Sequence, residues 1–169
     1  RRALMREPRG HADMYGAVLT EPVSRDAHAG VLFMHNAGYS SMCGHGIIAV
    51  ATIALERGLM RPSDPGDDLV FDTPAGTVRA RATVRTVAGS GRRHGGQRLR
   101  VDRVSYSGIP SFVLTAGLSI DLGTRVIKAD VAFGGAFYAI VDAEAAGVAI
   151  RRERLPDLRA LAMQIKSTV

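Results

Sequence analysis

Apolar and polar positions alternate along this chain in short runs broken by glycine and proline, and the runs predict most of its elements. "GAVLTEPV" (Gly16–Val23) reads as a strand ended by Pro22, and "GVLFMHN" (Gly30–Asn36) as a second. Leu69–Val87, "LVFDTPAGTVRARATVRTV", reads as two strands about a Thr-Pro-Ala-Gly turn. In its second half Val78, Ala80, Ala82 and Val84 alternate with Arg79, Arg81, Thr83 and Arg85, so one face is expected to be buried and the other wet. A flexible loop, "AGSGRRHGGQ", follows, with His94 expected to be exposed. "RLRVDRVSY" alternates again, and "PSFVLTAG" and "RVIKADVAFGGAFYAIVDA" add further short strands. "LPDLRALAMQIKS" carries Pro156 near its first turn and then apolar residues at three–four spacing, which predicts a helix.

One segment departs from this pattern. Ile47–Leu55 is almost wholly apolar, and the spacing predicts a helix from Gly46 to about Arg57. Gly58 suits the position just past the helix end, and Arg57 suits the negative end of the dipole. A helix that is apolar all round must be surrounded by protein. Ile47, Ile48, Val50, Ile53 and Leu55 are therefore expected in the core, with almost nothing exposed before Glu56. Many short strands and few helices predict an α+β fold: a curled, mainly antiparallel sheet or barrel around a central buried helix.

The chain has 169 residues, enough for one domain with a real core. No apolar run has the length of a membrane span. The opening "RRALMREPRGHADMYG" places charges where a signal peptide would be apolar, and it lacks a starting methionine, as a truncated or processed start would. The single cysteine cannot form an internal disulfide, and a reducing, cytoplasmic setting is expected. The net charge is +6, yet the densest basic region, Arg79 to Arg103, contains no aromatic residue. That composition argues against a nucleic-acid partner, and no membrane partner is expected.

The cysteine stands at the mouth of the apolar helix, in "YSSMCGHGIIAVATIAL" (Tyr39–Leu55). A helix N-terminus presents unpaired N–H groups and a partial positive charge, which favour a thiolate at Cys43. Gly44 and Gly46 allow close approach of a ligand to the backbone, and the N–H groups there suit a carboxylate or phosphate. Against this stands an inert, buried cysteine acting as a small hydrophobe. No metal is expected, because His11, His28, His35, His45 and Cys43 lack ligand-pair spacing. A Cys–His protease pair has no other local support. His11 and Asp13 are expected to shape their loop, with orientation of the site as the alternative. Gly134–Gly135 is expected to mark close backbone approach within the sheet. No Gly-x-Gly-x-x-Gly opens a helix after a strand, so no dinucleotide site is expected.

"MCGHG" (Met42–Gly46) resembles the catalytic signature of the proline racemase superfamily of racemases, hydroxyproline epimerases and trans-3-hydroxy-L-proline dehydratases. "EPRGHADMYGAVL" (Glu7–Leu19), "FMHNAGYSSMCGHG" (Phe33–Gly46), "TPAGTV" (Thr73–Val78), "GIPSFV" (Gly108–Val113) and "AFGGAFYAIVDA" (Ala132–Ala143) are similar to further blocks of it, in the same order. The resemblance implies a diaminopimelate-epimerase-like domain, with residues 1–169 as the N-terminal domain of a two-domain enzyme. The helix from about Leu155 would lead toward a second domain not in this chain. It implies that Cys43 moves the substrate Cα proton, that Gly44 and His45 bind the carboxylate through their N–H groups, and that Tyr15 packs on the pyrrolidine ring. No cofactor is implied. The partner would be a small imino acid, proline or hydroxyproline, and the full-length enzyme would be a homodimer. Ser40–Ser41 before Met42 is similar to the dehydratase branch. Racemases and epimerases use a second cysteine where dehydratases have threonine, and that position lies outside the chain. A further alternative is an inactive fragment, or a domain that binds imino acids without turnover.

Overall fold

The structure, a computed structural model, describes residues 1–61, 64, 66–88 and 97–169; His94 lies outside them. Backbone contacts divide the chain into two compact units, Arg1–Ile109 and Pro110–Val169. The first contains α1 (Arg2–Met5), β1 (Tyr15–Thr20), β2 (Ala29–His35), β3 (Tyr39–Ser40), α2 (Gly44–Glu56), β4 (Leu69–Thr73), β5 (Gly76–Ala88) and β6 (Gln97–Ser107). The second contains β7 (Phe112–Asp121), β8 (Val126–Phe133), β9 (Phe137–Ile140) and α3 (Leu155–Thr168), the last entered through a 3-10 turn at Arg152–Arg154.

The first unit is a curled, mainly antiparallel sheet in the order β1–β2–β4–β5–β6, as the alternation predicted. β1 covers one edge of β2 along its length, from Tyr15↔His35 to Thr20↔Gly30. The other edge of β2 is shared. Ala29 and Gly30 pair in parallel with Phe71 and Asp72 of β4, whereas Phe33 and Met34 pair with Ser40 and Tyr39 of β3. The sheet therefore splits at the end of β2, and the cysteine turn leaves from that split. The Thr-Pro-Ala-Gly turn joins β4 to β5, closed by the Thr73 hydroxyl donating to the Gly76 carbonyl at 2.7 Å. Gly76 has φ +131, a conformation that L side chains avoid.

Val31, Phe33, Ile47, Leu69, Phe71 and Val78 are the large, fully buried side chains of this unit. α2 buries Ile47, Val50, Ala51, Ala54 and Leu55, a three–four spacing that marks one face. Ile48 and Ile53 were expected in the core and are not there: they are 36% and 54% exposed. The physical reason is that the sheet is a half-barrel. It covers one face of α2 and leaves the opposite face uncovered. Each buried aliphatic side chain contributes roughly 1.5–3 kcal/mol, so the face carrying Ile47, Val50 and Leu55 decides how the helix sits.

Asp72 fastens the segment after β1 to β4. Its carboxylate accepts the N–H groups of Val23 at 2.8 Å and Ser24 at 2.7 Å and the Thr77 hydroxyl at 3.2 Å. The Ser24 N–H is the main reason its carboxyl is held below the usual carboxylate range; desolvation opposes it.

In the second unit β8 pairs with β7 and β9, and α3 contributes Ile165 to a core of Ile120, Leu122, Ile127, Ala129 and Ala146. Gly134–Gly135 forms the β8–β9 hairpin turn. Gly135 has φ +102, and a Cβ on Gly134 would meet nothing within 4 Å. Gly134 thus lacks the close backbone approach expected of it, and Gly135 supplies a turn conformation. Among the described residues, no helix is long and apolar enough to cross a membrane.

Candidate active site

Cys43 is the N-cap of α2. Its backbone is extended, at φ −148 and ψ 113, and its Sγ accepts the Gly46 N–H at 3.3 Å. The sulfur thus takes the role that a serine or aspartate oxygen fills at most helix starts. The Ile47 N–H donates to the Cys43 carbonyl at 2.9 Å. That is the first bond of the helix ladder; among the N–H groups before it, the Gly46 one is taken by the sulfur, and those of Gly44 and His45 are left at the helix mouth. Thiol and N–H pair stand on consecutive residues. Cys43 is half-buried and packs, with Met42, on the main core. The incoming chain is also held, since the Ala75 N–H in the Thr-Pro-Ala-Gly turn donates to the Ser41 carbonyl at 3.2 Å.

The glycines of this turn have separate steric reasons. A Cβ on Gly46 would come within 2.5 Å of Phe33 Cε1, and Phe33 is 0% exposed and cannot withdraw. A Cβ on Gly44 would overlap the Tyr106 hydroxyl and stand 2.8 Å from its Cζ. Tyr106 is a site neighbour that the sequence reading missed. It lies on β6 two residues after Val104, on the face toward α2, and the alternation of "RLRVDRVSY" carried that signal.

Tyr15 is half-exposed on β1. Its ring lies 6.4 Å from Phe33 and stacks on His35 at 6.0 Å, with 18° between planes. Phe33 thus links two residues singled out separately in the sequence, Tyr15 and the Cys43–Gly46 turn. Its importance was invisible in the sequence, where it reads as one more strand hydrophobe. The His45 side chain is exposed. In the loop before β1, His11 Nδ1 lies 2.6 Å from the Ala12 carbonyl, the His11 carbonyl accepts the Asn36 amide at 3.0 Å, and Asp13 adopts φ 64. Among the described residues, no group of three or more His, Cys, Asp or Glu is arranged to hold a metal.

A thiol and two free N–H groups at one helix start suit a substrate that carries a carboxylate beside an acidic carbon. The proline racemase family model matches residues 1–169. The chain is 44% identical over 150 residues to a trans-3-hydroxy-L-proline dehydratase of Bacillus cereus, covering 89% of this chain and 41% of that protein. It is 38% identical over 170 residues to a proline racemase of Clostridioides difficile, covering 100% of this chain and 47% of that protein. Among solved structures it resembles a hydroxyproline epimerase of Agrobacterium vitis with trans-4-hydroxy-L-proline bound. There the TM-score is 0.81 at 28% identity, over 97% of this chain and 45% of that one. The chain spans less than half the length of each of these relatives.

Proposed function

This chain belongs to the proline racemase family, and from that premise we propose that the protein it forms part of dehydrates trans-3-hydroxy-L-proline. Cys43 takes the Cα proton as a thiolate. The thiol so formed returns that proton to the 3-hydroxyl, which lies on the same ring face in the trans isomer and leaves as water, and the product is a pyrroline carboxylate. The N–H groups of Gly44 and His45 hold the substrate carboxylate and stabilise the negative charge that spreads onto it as the proton departs. Tyr15 packs on the pyrrolidine ring. Residues 1–169 act as the N-terminal part of a two-domain enzyme, and the reaction takes no cofactor.

The observation that carries this reading is the cap geometry. The Gly46 N–H is committed to the Cys43 sulfur, and the Gly44 and His45 N–H groups are left beside it. Proton abstraction by a placed side chain typically contributes about 10²–10⁴-fold in rate, and preorganised donors add to it only where charge develops. Thiol and carboxylate cradle on adjacent residues meet both needs. The dehydratase reading draws support from identities of 39% to 44% to dehydratases, against 38% to the racemase.

The test is an assay of the full-length protein with trans-3-hydroxy-L-proline, trans-4-hydroxy-L-proline and L-proline, followed by NMR. Loss of water from the 3-hydroxy acid, with no inversion of the other two, is expected. Inversion at Cα without loss of water would replace this reading with a racemase or epimerase. Binding of all three without turnover would reduce the protein to an imino-acid binder.

A further inference from the structure

α2 runs along β6 in the opposite chain direction, and the two meet at both ends. At the first helical residue, Gly44, the neighbour is Tyr106. At the last, Glu56, Oε1 accepts the Val101 N–H at 3.1 Å and Oε2 faces Arg100 Nη1 at 3.4 Å. The lengths agree. Gly44 to Glu56 spans roughly 18 Å at the helical rise, and Tyr106 to Val101 roughly 17 Å at the strand rise.

Glu56 sits there against its own helix. A carboxylate in the last turn faces the negative end of the dipole, an arrangement unfavourable by about 0.3–1 kcal/mol. Something specific must offset that, and β6 supplies it. The β5–β6 register shifts between Thr83 and Val84, so Thr83 pairs with Arg103 and Val84 with Val101, leaving Asp102 as an extra residue on β6. Such a bulge bends the strand and interrupts the ladder. The N–H beside it, that of Val101, is the one Glu56 takes. The Glu56 side chain is only 21% exposed, whereas Arg100 is 51% exposed, so the backbone bond is the better shielded of the two contacts.

We propose that Glu56 is a positioning residue for the thiol and N–H pair at the other end of α2. By tying the C-terminal end of the helix to the bulge in β6, it fixes the helix along its axis. The rigid helix carries that setting to Cys43, Gly44 and His45, where Tyr106 closes against Gly44. The proposal rests on the role given above to Cys43.

The test uses the full-length protein with Glu56→Ala, Glu56→Gln and Glu56→Asp, each with its melting temperature. The glutamine amide oxygen can still accept the Val101 N–H; the aspartate falls one methylene short. A misplaced reacting group costs rate more than affinity, so kcat on trans-3-hydroxy-L-proline should fall roughly tenfold in the Ala and Asp variants, with KM changed less than about threefold. Glu56→Gln should stay within about twofold of the parent. The alkylation rate of Cys43 by iodoacetamide should follow the same order, parent and Gln together and Ala and Asp apart. Equal losses in Gln and Ala would overturn the tether in favour of a charge effect. A lowered melting temperature with kcat and alkylation unchanged would overturn it in favour of plain stabilisation. If the parent turns over none of the three imino acids, the functional reading falls, and the alkylation series still decides the tether. Glu56→Asp, which keeps the charge, serves the same comparison if Glu56→Ala fails to fold.

Discussion

Phe33 and Phe71 of the first unit are fully buried, and the sheet that holds them closes over one face of α2. In the second unit Phe112, Phe133 and Phe137 also cluster, with ring centres 5.0 to 6.5 Å apart, yet Phe112 is 50% and Phe137 60% exposed. There α3 fully buries only Ile165, and an apolar groove of about 510 Å³ is lined by Phe137, Tyr138, Leu158, Leu161 and Ile165 among others. Both units bring aromatics together, but only the first uses one as a floor. The Cys43 turn rests on Phe33, and a side chain with no free surface cannot shift when a ligand arrives. A site that must hold a sulfur and two N–H groups in fixed relation belongs on such a floor.

The strongest way to break this contrast is to remove one aromatic from each unit of the full-length protein. Phe33→Ala should destabilise the first unit by about 3–5 kcal/mol, through lost burial and the cavity left behind. Phe137→Ala should cost about 1 kcal/mol in the second, since most of its surface is already in water. Hydrogen exchange resolved by segment reads the two units separately. Equal losses of protection would remove the distinction. The first substitution should also speed exchange at Gly46 and Ile47.

A smaller effect sharpens the same point within one turn. Gly46→Ala drives a methyl into Phe33, which cannot withdraw, and should cost about 2–3 kcal/mol. Gly44→Ala meets Tyr106, which is 40% exposed and able to swing outward, so the cost should be nearer 1 kcal/mol. Denaturant unfolding of the two variants compares them. If Gly44→Ala proves the worse, Tyr106 is held more firmly than its exposure implies.

Much of this was legible in the chain. Val78 and Ala80 are buried where the alternation put them, α2 follows the cysteine but starts at Gly44, two residues before the expected Gly46, and Gly58 takes φ +66 just past the helix end. What failed is instructive. An apolar sequence states what a helix tolerates, not what covers it, so Ile48 and Ile53 could not be told from Ile47. The parallel pairing of β2 with β4, and the split it creates, depends on contacts some forty residues apart, which no local pattern records. The bulge at Asp102 shifts the register of β6, and that shift hid the Val101 N–H that Glu56 takes.

The smallest effect expected is electrostatic and confined to the first unit. The Asp72 carboxyl titrates below its unfolded value of about 3.9, chiefly because the Ser24 N–H bonds its ionised form. Its contribution to stability is therefore present above about pH 4 and is lost as pH falls through the depressed folded value. Asp72→Asn should lower stability at neutral pH, and the gap to the parent should close below about pH 4. Unfolding curves across that range check it; a gap that stays constant would assign the effect to packing.

The central claim is a division of labour, in which the Cys43 sulfur moves the proton while the backbone of Gly44 and His45 holds the carboxylate. Replacing the sulfur alone separates the two. In the full-length protein, Cys43→Ser should lower turnover of trans-3-hydroxy-L-proline by roughly 10²–10⁴-fold. The same variant should bind pyrrole-2-carboxylate, a planar mimic of the deprotonated substrate, within about fivefold of the parent, because the N–H groups remain and serine caps a helix well. Turnover kept above a tenth of the parent's, or binding lost together with turnover, would contradict that division.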